Sequence, residues 1–137
     1  MPDAPPFFSV TLPGTRPQFP IAKAEFRDMT DPVDAQLAAY NARDVEAFLD
    51  CYTADCVAED GDGNRLMAGH AEMRERYAAM FAASPNLHCK ILHRIRIGRQ
   101  VIDHEEITGR VPDFRYAVAI YRLTGDGSRI EHIRFYR

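Results

Sequence analysis

The side chains best suited to moving protons stand at two places in this chain. In Cys56-Val57-Ala58-Glu59-Asp60, a two-residue period puts Cys56, Ala58 and Asp60 on one strand face and Val57 and Glu59 on the other. A carboxylate at the end of a small apolar face suits a general base, because desolvation raises its pKa. Asp60 also directly precedes Gly61-Asp62-Gly63, where an aspartate serves simply to bond turn backbone. Both readings stand at this point. In the stretch 101–108, Ile102, His104, Glu106 and Thr108 form one set, and Val101, Asp103, Glu105 and Ile107 the other. Each set carries charge, so composition alone does not choose the buried one. His104 and Glu106 lie about 7 Å apart by strand rise. A histidine beside carboxylates has a raised pKa and acts near neutrality. The bland alternative is a histidine with one satisfied hydrogen bond, and a Glu106 paired with His104, Arg94 or Arg96. His93 is expected on the inner face of the preceding strand. A metal centre built from His93, His104, Glu106 and Asp60 has no diagnostic spacing. No metal and no cofactor are expected.

Elements must hold these residues in place. Thr30 or Asp31 can cap a helix with Pro32 in its first turn, running to about Asn41 with Val33, Leu37, Ala38 and Tyr40 at helical spacing. Asp44 can cap the next helix, whose stripe is Val45, Phe48, Leu49 and Tyr52. Two short strands, Cys56–Asp60 and Arg65–Ala68, flank the turn Gly61-Asp62-Gly63-Asn64. The third helix spans Gly69–Ser84 with Met73, Tyr77, Met80 and Phe81 on one side, and Tyr77 and Phe81 read as core or pocket wall. Strands follow at Leu87–Ile97, Val101–Gly109, Phe114–Leu123 and Arg129–Tyr136. Strict alternation in the first of these groups Cys89, Ile91, His93, Ile95 and Ile97, and leaves Lys90, Arg94 and Arg96 facing solvent or a dimer rim. Helices first and strands after them predict an α+β domain with an antiparallel sheet.

The bulk properties narrow the field. A chain of 137 residues fits one domain. A formal charge of −3 and a pI near 5.9 offer no basic field for nucleic acid or an anionic membrane. No apolar run approaches the roughly 18 residues of a membrane span, and the N-terminus has no secretory pattern. Cys51, Cys56 and Cys89 are odd in number and lack ligand spacing, which predicts reduced thiols in a cytoplasmic protein. Residues 1–28 hold Pro2, Pro5, Pro6, Pro13, Pro17 and Pro20 and read as an extended arm. The compact domain is expected to begin at Met29.

Several pieces, taken in order, carry a resemblance. The stretch Ala39-Tyr40-Asn41-Ala42-Arg43-Asp44-Val45-Glu46-Ala47-Phe48 is followed by Tyr52-Thr53-Ala54-Asp55-Cys56-Val57, by Gly69 opening a helix, and by Gly125-Asp126-Gly127 before a strand with Phe135-Tyr136. Together they resemble the nuclear transport factor 2-like superfamily, in its SnoaL-like and ketosteroid isomerase-like branch. The resemblance implies three helices packed on a curved antiparallel sheet, a cone enclosing a pocket, and a homodimer formed through the outer sheet face. It also implies positions for the isomerase machinery, which needs a carboxylate base, a tyrosine and a protonated acid. The base falls on Asp60. The tyrosine falls on Gln36, which donates a hydrogen bond but is a weaker acid. The acid falls at Ala119, in a strand without acids. The same match turns the His104 set into the pocket. A true ketosteroid isomerase is therefore not expected. The reading is a pocket for a small hydrophobic, polyketide-like or steroid-like molecule. Its expected chemistry is cofactor-free acid–base work: isomerisation, cyclisation, dehydration or hydrolysis. Asp60 and His104 would exchange protons, Glu106 would orient His104, and Gln36 would donate to the substrate. The alternative is a non-catalytic ligand-binding or dimeric interaction module on the same fold.

Overall fold

The computed structural model describes residues 31–137. The proline-rich arm and the expected start at Met29 lie outside the described residues. The Asp31 carboxylate accepts the Val33 amide at 2.8 Å and, with Pro32 in the first turn, opens helix α1 (Pro32–Ala42). Arg43 closes it in the left-handed conformation, φ 54°. Asp44 then accepts the Ala47 amide and opens α2 (Val45–Leu49). Strands β1 (Tyr52–Asp60) and β2 (Arg65–Ala68) lead into α3 (Gly69–Ala83). Four strands complete the chain: β3 (His88–Ile97), β4 (Gln100–Thr108), β5 (Tyr116–Leu123) and β6 (Ile130–Tyr136).

The six strands form one sheet in the order β2-β1-β6-β5-β4-β3. It is curved and does not close on itself, and the fold class is α+β as expected. Two expectations change. Neighbours are antiparallel except β1 and β6, which run parallel; the long excursion between them leaves either direction open. Tyr52 opens β1, opposite Ile130 of β6, instead of ending the α2 stripe. Its ring still packs on Phe48, with centroids 4.9 Å apart, so the apolar contact survives the change of element.

A β-bulge between Ile91 and His93 has the largest consequence. One extra residue reverses the face of every side chain beyond it. Cys89 and Ile91 stand opposite Ile107 and Glu105, whereas His93 stands opposite His104 and Arg94 opposite Asp103. Lys90, Arg94 and Arg96 therefore do not share a face. Arg94 and Arg96 reach α1 instead, pairing with Asp34 at 2.5 Å and with Asp31.

The helices cover one sheet face, and the core between them is aromatic. Phe48 meets Tyr52, Tyr77 and Phe81, and Tyr40 stands edge-on to Phe81 with centroids 5.5 Å apart. Asn41 fastens α1 to the sheet. Its side-chain amide donates to the Cys89 carbonyl at 3.0 Å, and its oxygen accepts the Cys89 amide at 2.7 Å, as a neighbouring strand would. Asn41→Ala leaves two part-buried backbone groups unpaired. We expect a loss of about 1–3 kcal/mol, read as a fall in melting temperature of several degrees by circular dichroism.

Candidate functional site

The helices do not fill the space over the sheet. A cavity of ≈ 220 Å³ remains, walled by α1, α3 and the inner face of β4 and β5. Most of its wall is apolar and aromatic, including Leu37, Tyr40, Tyr77, Met80 and Phe114. One line of polar groups crosses it. The Tyr52 hydroxyl donates to Gln36 Oε1 at 3.1 Å. Gln36 Nε2 donates to the Val33 carbonyl at 3.1 Å and to the Tyr121 hydroxyl at 3.2 Å. Tyr121 in turn donates to Glu105 Oε2 at 3.3 Å. The amide of Gln36 is thus spent inside the protein, and the line ends on a carboxyl.

That carboxyl is 6% exposed and lines the cavity. Burial, and then the nearby Asp103, push its pKa up to about 7, while the Tyr121 hydrogen bond opposes the rise. Among the described residues its Oε1 has no protein partner, so that oxygen is left to the cavity. Burial also holds the Tyr52, Tyr77 and Tyr121 hydroxyls above the usual tyrosine range, so they remain neutral donors. Asp103, on the same face, is completely buried. Arg94 neutralises it with two bonds, 2.6 Å from Nε and 2.8 Å from Nη2.

The residues anticipated from the chain distribute differently around this site. Gln36 and Tyr77 line the cavity. Phe81 belongs to the aromatic core behind the wall, held there by its contacts with Tyr40 and Phe48. Ala119 is fully buried, opposite Asp103 in the register, and does not reach the cavity. Asp60 is a turn anchor. Its carboxylate accepts the amides of Asn64 and Asp62, each at 2.9 Å, and the Asn64 side chain at 3.1 Å. The Asn64 bonds come first among the causes that hold its pKa below the usual carboxylate range. A register shift after Ala58 breaks the alternation that was to carry Asp60 inward.

His104 and Glu106 face away from the cavity, because the buried set of β4 is Val101, Asp103, Glu105 and Ile107. His104 stacks on His93 on the outer face, centroids 5.7 Å apart and planes at 15°. Glu106 pairs with Arg115, whose Nε donates to it at 2.8 Å. His93 is outside for the same reason as His104, its register partner across the bulge. Among the described residues no three His, Cys, Asp or Glu side chains converge as metal ligands would.

Sequence reasoning passed over Glu105, Tyr121 and Tyr52. One signal was available: Val101 and Ile107 bracket the Glu105 set with β-branched apolar residues, whereas the His104 set ends on Thr108.

Residues 33–137 match the SnoaL-like domain family. Solved structures share the architecture. A cystatin-fold protein from Novosphingobium aromaticivorans is 25% identical with a TM-score of 0.68, over 85% of this chain and 99% of that one. A SnoaL-like protein from Burkholderia thailandensis is 18% identical with a TM-score of 0.64, over 86% and 98%. A candidate polyketide cyclase from Sinorhizobium meliloti is 21% identical with a TM-score of 0.64, over 81% and 98%. No functionally curated protein matches the chain.

Proposed function

The chain belongs to the SnoaL-like family, and from that premise we propose that its cavity binds a small organic molecule and moves a proton on it without a cofactor. Glu105 is the proton-transfer group. Tyr121 steadies its Oε2, and Oε1 meets the substrate. The single observation that carries the reading is a cavity-lining carboxyl whose pKa is pushed up to about 7. Such a group exchanges its proton readily at neutral pH, which suits abstraction and return beside a carbonyl. Isomerisation and ring closure both need that step. The isomerase positions at Gln36 and Ala119 lack the family's tyrosine and acid, yet Tyr121 and Glu105 bring the same functional groups from neighbouring positions. A cavity of ≈ 220 Å³ suits a compact ring, since one of about 150 Å³ takes benzene. A polyketide or steroid would extend through the mouth.

The test is proton exchange. The protein is incubated in D2O with a panel of enolisable ketones and β-keto esters, and loss of the α-proton signal is followed by NMR. We expect exchange above buffer for at least one compound, abolished in Glu105→Gln. A panel that binds without exchanging would instead favour a carrier. One observation favours that second reading: the Tyr52, Gln36 and Tyr121 groups are already satisfied by one another.

A homodimer belongs to the same proposal, because Ile95, Ile97 and Tyr116 lie exposed on the outer sheet face beside His93 and His104. No helix among the described residues is long and apolar enough to cross a membrane. The three unpaired thiols suit a reducing compartment, so the cytoplasm is the proposed location.

A further inference from the structure

Most arginines elsewhere in the described chain are matched by acids. Arg74 pairs with Glu46, Arg94 with Asp103 and Asp34, Arg96 with Asp31, Arg122 with Glu131 and Arg134 with Glu59. The cavity wall breaks this habit. Arg76, Arg110 and Arg137 all line it, and none has a carboxylate partner among the described residues. Arg76 donates to the Leu66 carbonyl at 3.0 Å, and Arg110 to the Pro112 carbonyl at 2.6 Å. The guanidinium carbons of Arg110 and Arg137 both stand over the Phe114 ring, 4.4 Å and 4.2 Å from its centroid. Two like charges gathered on one ring repel each other. A half-buried guanidinium without a counter-ion also loses solvation. Burial pulls the Arg110 pKa below the usual arginine range, and Arg137 adds to the pull. Arg110 is half-buried while Arg76 and Arg137 are exposed, so an anion at the cavity would meet them without having to displace an acid.

We infer that Arg110 and Arg137, with Arg76 beside them, form an anion subsite at the cavity, and that the ligand is a compact aryl-substituted carboxylic acid. The planar forks of arginine match a carboxylate, which accepts two parallel bonds. Phe114 fixes the guanidinium planes by cation–π contact, so little side-chain freedom is lost on binding. The apolar body of the ligand then lies against Tyr40, Tyr77 and Met80, and the cavity volume limits that body to one ring with short substituents. This inference rests on the proposed cavity as a binding site. It does not require Glu105 to act as a proton carrier.

The probes are 3-phenylpropanoate and its methyl ester, titrated into the full chain by NMR at 20 mM salt. The acid is expected to bind at least ~10-fold more tightly than the ester, the size of one charge-assisted contact. Arg110→Gln/Arg137→Gln should erase that preference. Raising the salt to 500 mM should weaken the acid several-fold and spare the ester, and this arm needs no variant to fold. Equal or tighter ester binding, a preference that survives the double variant, or binding of neither probe at millimolar concentration overturns the inference. Glu105→Gln separates the two readings. If it keeps the acid preference while wild type shows no proton exchange, the subsite stands and the catalytic reading falls.

Discussion

Glu105→Gln is expected to make the protein more stable above neutral pH while removing the proton transfer proposed for it. The native state holds the Glu105 proton up to about pH 7, whereas the unfolded chain releases it near the ordinary value of 4.5. Between those values the native state binds more protons than the unfolded one, so stability falls as pH rises through the window. The loss is complete above it and amounts to about 3 kcal/mol. Glutamine keeps the shape and accepts the Tyr121 hydrogen bond, and it has nothing to titrate. The variant should therefore melt roughly 10 °C above wild type at pH 8, and the two should converge near pH 4. Calorimetry across pH 4–8 checks this. Parallel melting curves at every pH would show that Glu105 is not protonated in the native state. For any compound that shows exchange, the same variant should lose about 10²–10⁴-fold in rate. A gain in stability with a loss in activity separates a strained functional carboxyl from a structural one, whose removal only destabilises.

Arg94→Met is expected to be the most damaging single change to the fold. It leaves Asp103, completely buried, without the two bonds that neutralise it. Removing one partner of a buried ion pair costs about 3–5 kcal/mol. It also frees Asp34, although that contact is exposed and contributes little. The double variant Arg94→Met/Asp103→Leu should recover most of the loss, because no uncompensated charge remains. Urea denaturation of the four proteins in the cycle measures the coupling. A coupling energy near zero would mean that Asp103 does not depend on Arg94 for its burial. Asp103 raises the Glu105 pKa and Arg94 lowers it, so the pair bears on the site as well as on the core.

Much of the architecture was legible in the chain. Helical spacing around Val33, Leu37 and Tyr40, caps at Asp31 and Asp44, and the turns at Gly61-Asp62-Gly63 and Gly125-Asp126-Gly127 act over a few residues, and such short-range signals survive whatever the rest of the chain does. The family resemblance was legible for the same reason, since its pieces are local. Tyr77 follows from the apolar stripe of its helix, and Gln36 from the family resemblance, which puts the isomerase tyrosine at that position. The residues on strands were harder. Val101–Thr108 offers two faces that both carry charge, told apart in the chain only by the Val101 and Ile107 that bracket one of them.

The cavity for which the acid–base residues were sought is therefore present, with different residues in it. The chain by itself determined the element order, the fold family and the presence of proton-moving side chains in β4. The tertiary structure decided which of them meet the cavity, because it covers the Asp103 and Glu105 face of β4, while on β3 a bulge after Ile91 sends His93 outward and Arg94 inward. Packing of α1 against that face then buries Asp103 and Glu105 together. The raised pKa of Glu105 exists only once water has been removed and Asp103 stands beside it, and no local pattern in the sequence encodes that desolvation.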